Sequence, residues 1–212
     1  EGQVNFDIWA LEADRAEQSF ANRIYRPPFY SRLYSAHSQL PDFLINTHSV
    51  ADATDLKNYI ARLRGLPAVL DLAIERTKAS QAAGINPPRF QIETIIAGSK
   101  QLTSGAPFAD GPDAALWADV KAKTAGLVTA GKLTQAEADA MLEEARQAIL
   151  AIQPAYGRVI AWAEASLPTA PSGKVGALTL PDGLAYYENE LKLVTTTDMT
   201  AAEIHATGRA EV

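Results

Sequence analysis

Residues 51–84 read ADATDLKNYIARLRGLPAVLDLAIERTKASQAAG, and this stretch decides the fold. Thr54 can cap a helix whose Leu56, Tyr59, Ile60 and Leu63 recur at the spacing of one buried helical face. Gly65 reads as its end. Pro67 then falls in the first turn of a following helix, where its missing N–H is no loss, and Val69, Leu70, Ala73, Ile74 and Thr77 carry the apolar face on until Gly84 supplies a stop. The spacing predicts two antiparallel helices packed through these faces.

Downstream, Asn86-Pro87-Pro88 is a rigid breaker, and Phe90, Ile92, Ile95, Ile96 and Leu102 mark a further helix. Thr103 to Pro112 is rich in Gly and Pro and reads as a loop. Asp113 then opens an Ala-rich helix through Leu116, Trp117 and Val120. Thr134 and Glu137 have the spacing of a capping box, so a helix runs on over Met141, Leu142, Ala145, Ile149 and Ile152 towards Trp162 and Leu167, with Pro154 either kinking or splitting it. Upstream, Val4, Ile8 and Leu11, with Trp9, Ala13, Ala16 and Phe20 beside them, form a helical stripe that Pro27-Pro28 should stop by Tyr25 or Arg26. Residues 27–50, carrying Tyr30, Tyr34, His37 and His48, read as a loop-rich connection with room for a short helix. The chain begins at Glu1 inside a helical pattern, as a segment of a longer polypeptide would.

Composition changes after Leu167, where Pro168, Pro171, Gly173, Gly176, Pro181 and Gly183 follow in quick succession. Residues 1–167 therefore read as a helical bundle and 168–183 as a Pro/Gly-rich connection. Residues 184–212 read as a strand-like segment over 184–195, suggested by its aromatic and β-branched residues, plus a helix started by the capping box Thr200/Glu203 and still running at Val212. The expected fold is mostly α, a multi-helix bundle with one short extended segment near the C-terminus.

The chain has 212 residues, 47% of them hydrophobic and 21% charged, with no Cys, so a disordered or disulfide-stapled class is excluded. Its 19 basic against 25 acidic side chains give a net charge of −6, the wrong sign for tracking nucleic-acid phosphates. No stretch is long and apolar enough to span a membrane, and no signal-peptide pattern opens the chain as given.

Chemistry-bearing motifs are scarce. His37, His48 and His205 form no His-Glu-x-x-His pair, so no zinc site is expected, although His37 and His48 with Asp42 between them could be imagined as ligands. Without Cys there is no thiol nucleophile, and no Gly-x-Ser-x-Gly spacing activates a serine. Ser172-Gly173-Lys174-Val175-Gly176 lacks the glycine frame of a phosphate loop and reads as a turn. Glu143 and Glu144, like Glu188 and Glu190, fit solvated faces, while Trp9, Trp117 and Trp162 fit apolar ones.

The most specific region is Leu180-Pro181-Asp182-Gly183-Leu184-Ala185-Tyr186-Tyr187, followed by Thr195-Thr196-Thr197 and then by Thr200, Glu203-Ile204-His205, Gly208 and Glu211-Val212. With Asp55, Tyr59-Ile60, Leu63, Gly84, Pro87-Pro88-Arg89 and Pro154-Ala155-Tyr156, this order resembles the bacterial "domain of unknown function 885" family over essentially the whole chain. The resemblance implies a parent longer than this chain, often exported or lipid-anchored, hence located in the cell envelope or periplasm, with a cytoplasmic location left open. It implies likeness to zinc metallopeptidases of the carboxypeptidase Taq and angiotensin-converting-enzyme type, whose helical lobes flank a deep channel. The family's metal motif lies beyond this segment. This chain would be the non-catalytic N-terminal helical part, with no catalytic, cofactor-binding or metal-ligating residue; zinc would belong to the full-length protein.

In that reading its partners are the remainder of its own polypeptide and, in the full-length protein, a peptide substrate. Asp182, Gly183, Tyr186 and Tyr187 would border the channel, with the 186–195 segment as a substrate-aligning strand and the two tyrosines on opposite faces. An ordinary structural reading of the same residues makes a tight turn, with Asp182 bonding its own backbone and Gly183 at positive φ. The alternative for the whole chain is a helical binding or scaffold module without enzymatic activity.

Overall fold

The computed structural model describes residues 35–211, together with Gln3, Val4, Asp7, Ile8, Ala10, Leu11, Glu12, Arg15, Pro28 and Phe29. Among the described residues the architecture is α-helical without strands: α1 (Ala36–Asp42) running into a π-helical turn (Phe43–Thr47), α2 (Ala53–Ala82), α3 (Arg89–Leu102), α4 (Ala115–Thr129), α5 (Gln135–Leu150), α6 (Gln153–Ser166), α7 (Gly183–Thr195) and α8 (Ala201–Ala210). Short 3₁₀ turns lie at Leu167–Thr169 and Ala177–Thr179. The described N-terminal positions Val4, Ile8 and Leu11 are helical and exposed, whereas Trp9, Phe20 and the stop expected near Tyr25 lie outside the described residues, as do Tyr30 and Tyr34.

The expected pair of helices over 53–82 is one continuous 30-residue helix. Its N-cap is Asp52, not Thr54: the Asp52 carboxylate accepts from the backbone N–H of Thr54 at 2.8 Å and of Asp55 at 3.0 Å. Gly65 and Pro67 fail to break it because Leu56, Tyr59, Ile60, Leu63, Leu66, Leu70, Ala73, Ile74 and Thr77 stay in phase on one buried face straight through them. Each large apolar side chain so buried contributes about 2 kcal/mol. A mid-helix Pro costs about 3 kcal/mol and a Gly about 1 kcal/mol, so the face outweighs both break signals.

Around this long helix, α6 packs on α3 and α2, while α5 packs on α4 and α2. Pro154 does split the long helical pattern, ending in the first turn of α6, and the Thr134/Glu137 capping box is formed. Phe29 stacks on Trp162 with ring centroids 5.1 Å apart, and the Trp162 indole N–H donates to the Gln81 side chain at 3.1 Å. In α1, Pro41 has no N–H to offer the His37 carbonyl. The buried Tyr156 hydroxyl replaces it, donating to that carbonyl at 2.6 Å and fastening α1 to α6.

The expected extended segment at 184–195 is instead α7, packed against the 3₁₀ turn before it. Leu184, Tyr187, Leu191 and Val194 recur at helical spacing, and Thr195 returns its hydroxyl to the Leu191 carbonyl at 2.7 Å. No neighbouring strand is present among the described residues to satisfy an extended backbone, so the helix, which satisfies its own hydrogen bonds, prevails. The second capping box, Thr200/Glu203, starts α8, which ends at Ala210 with Glu211 as its C-cap rather than running on as the sequence pattern predicts; Val212 lies outside the described residues.

Candidate functional site

The four residues expected beside a substrate channel sit at the start of α7, in an arrangement different from the expected one. The positive φ belongs to Asp182, at +53°, and its carboxylate makes no capping bond. Gly183 is needed for a different reason: a Cβ there would stand 1.8 Å from the Ala177 carbonyl oxygen, which is backbone and cannot yield. Tyr186 and Tyr187 are successive helical residues, about 100° apart around the axis, so they do not point to opposite faces. Tyr186 is half-buried and Tyr187 is 41% exposed.

The three histidines are not brought together. His205 is an exposed residue on α8. His37 is buried on α1, its Nδ1 2.8 Å from the Ser35 hydroxyl, and burial pushes its pKa down to about 4. His48 belongs to another cluster, where the Arg62 guanidinium donates to its Nδ1 and the ring meets Tyr59 edge-on at 5.4 Å between centroids. That bond puts the remaining ring proton on Nε2. Partial burial, then the Arg62 charge, lowers the His48 pKa.

The same cluster contains the most elaborate polar network of the bundle. Lys123 on α4 donates to Asp119 at 2.7 Å and to the π-turn carbonyls of Leu44 and Ile45 at 2.8 and 3.0 Å. Tyr59 on α2 donates to the same Asp119 oxygen at 2.8 Å. Burial, then this carboxylate, raises the Tyr59 pKa strongly, which keeps the hydroxyl protonated. Each charge named here has a partner among the described residues, so the network clamps the π turn to α2 and α4. The i, i+4 spacing of Asp119 and Lys123 was a readable signal for it; their meeting with Tyr59 and the π turn depends on packing.

The chain has no His-Glu-x-x-His, and the described residues contain no group of three or more His, Asp or Glu side chains able to hold a metal. Among the described residues no helix is long and apolar enough to cross a membrane. Glu143 and Glu144 are surface residues facing Arg146 and Arg64 at 3.5 and 2.7 Å.

Residues 2–212 match the family described as bacterial protein of unknown function (DUF885). The chain belongs to this family. Comparison with curated proteins and with solved structures finds no match. The Leu180–Tyr187 segment forms the glycine-dependent entry into α7, and Thr200 with Glu203 the capping box that starts α8.

Proposed function

We propose that this chain is the non-catalytic helical portion of a peptidase-like hydrolase, forming wall for a substrate channel whose reacting groups lie elsewhere in the polypeptide. The observation that carries the reading is the outer face of α7 in a chain of the DUF885 family. Leu184, Tyr187 and Val194, aligned at helical spacing, are 59%, 41% and 77% exposed. An aligned apolar row of this kind is what a helix presents to further protein surface or to an apolar ligand. Tyr187 supplies an amphipathic ring on that row and Tyr186 a half-buried one beside it, so Asp182, Gly183 and the two tyrosines act as a rigid corner of the wall, with no strand to pair with substrate.

The zinc dependence of such a hydrolase, its peptide substrate and an envelope location rest on the resemblance of the motifs alone. This chain contributes no ligand and no general base to the reaction. The test is the intact mass and zinc content of the protein isolated from its native source. The reading expects a species well above 22.7 kDa carrying stoichiometric zinc. A native protein of this mass without metal would replace it with a helical binding or scaffold module.

A further inference from the structure

The π turn (Phe43–Thr47) is closed by the residue that follows it. The His48 backbone N–H donates to the Phe43 carbonyl at 2.9 Å, the bond five residues back that makes the turn π-helical. The His48 ring lies edge-on to Phe43 at 6.5 Å and to Tyr59 at 5.4 Å between centroids. Arg62 of α2 reaches the same place, its guanidinium 5.4 Å from the Phe43 ring centroid and donating to His48 Nδ1. A guanidinium only donates, so this bond exists only while Nδ1 carries no proton. Beneath the ring, the turn plants Leu44 in the core, where it is fully buried.

The charges around this ring leave no place for another positive one. α2 brings Arg62 and Asp55, α4 brings Lys123 and Asp119, and α1 brings Asp42. All three carboxylates already have donors: Asp119 has Lys123 and Tyr59, Asp42 has the Asn46 amide, and Asp55 has the Ala51 backbone N–H at 3.0 Å. Lys132 is occupied with the Ala51 carbonyl. A proton on His48 would remove the acceptor that Arg62 uses and set an imidazolium against a guanidinium, with Lys123 close by. Burial first, and then Arg62, hold the His48 pKa down over the opposing effect of Asp55.

We propose that His48 is an acid-operated latch: its neutral ring holds the π turn against α2 and α4, and its protonation releases the turn, with Leu44, from the bundle. In the released turn the ring is in water with its ordinary pKa of 6.5, whereas the latched ring refuses the proton until lower pH. Opening therefore takes up one proton, and the open population rises by up to tenfold for each pH unit below 6.5 until the latched ring itself titrates. Above 6.5 the latch stays shut, because the Lys123 bonds to the Leu44 and Ile45 carbonyls must part with it. The opening is local, since Tyr156 goes on holding α1 through the His37 carbonyl. The latch is remote in chemistry from α7 and independent of the peptidase reading.

The experiment is amide hydrogen exchange of the 212-residue chain between pH 7 and 5, corrected for the intrinsic pH dependence of exchange, beside an NMR titration of the His48 ring. Amides 44–48 should be less protected than those on the buried face of α2, and should lose protection by close to tenfold per pH unit below 6.5. His48→Gln keeps an acceptor for Arg62 but cannot titrate, so it should remove that slope, whereas His37→Gln should leave it in place. Arg62→Gln keeps a donor without the charge and should move the ring's midpoint up towards 6.5. A parent ring that titrates at or above 6.5, equal protection at 44–48 and on α2, a slope that survives in His48→Gln, or a midpoint unmoved by Arg62→Gln would overturn the proposal.

Discussion

At the scale of single residues, His37 ties stability to pH. Its pKa is lowered from 6.5 to about 4 by burial, so below pH 6.5 the unfolded chain takes up a proton that the folded chain refuses. The stability it permits is complete above that value, drains away as pH falls towards 4 and changes no further below, a swing of about 3 kcal/mol. His37→Gln should flatten the denaturant midpoint across this window relative to the parent; an unchanged pH slope would show that the imidazole is solvated. Gly183 makes a second local prediction. Gly183→Ala drives a Cβ into the Ala177 carbonyl, so amide exchange across α7 should accelerate while the buried face of α2 keeps its protection. Asp182→Gly should do the opposite, relieving about 1 kcal/mol of left-handed strain at φ +53°. The sequence places the glycine requirement one residue away from the positive φ because "Asp-Gly" is the commoner turn chemistry; the approach of the Ala177 carbonyl is tertiary and has no local signature.

Among the helices, what was legible follows how local the cause is. The capping boxes at Thr134 and Thr200 and the split at Pro154 are decided within a few residues, and they stand as read. The continuity of α2 was not legible, because Gly65 and Pro67 are local stop signals overruled by a face whose burial is supplied by α5 and α6. Gly65→Ala separates the two situations. The position has nothing within 4 Å of a new Cβ, so in a continuous helix the substitution should raise stability by about 1 kcal/mol in urea melts. A loss of stability would mean that Gly65 holds a special backbone conformation and that the helix is broken there. The segment 184–195 misleads differently: paired tyrosines and Leu-Val-Thr have strand-like composition, yet a strand needs a partner and a helix does not. The surroundings of His48 could not be read in advance, since Arg62, Asp119 and Lys123 come from α2 and α4 and meet the π turn only after packing.

For the whole molecule, the Leu180–Tyr187 and Thr200–Glu203 segments fall at a glycine-dependent turn and a helix cap and supply scaffold. Among the described residues the Tyr59–Asp119–Lys123 cluster is a clamp whose groups bond one another, and in the proposed function the chemistry of the hydrolase belongs to the rest of the polypeptide. Peptide hydrolysis by the native-length protein, measured with and without a metal chelator beside the 212-residue chain alone, tests this most directly. The account predicts chelator-sensitive cleavage by the native-length protein and none by the isolated chain. Cleavage by the isolated chain, or a native-length protein inert towards peptides, would contradict it.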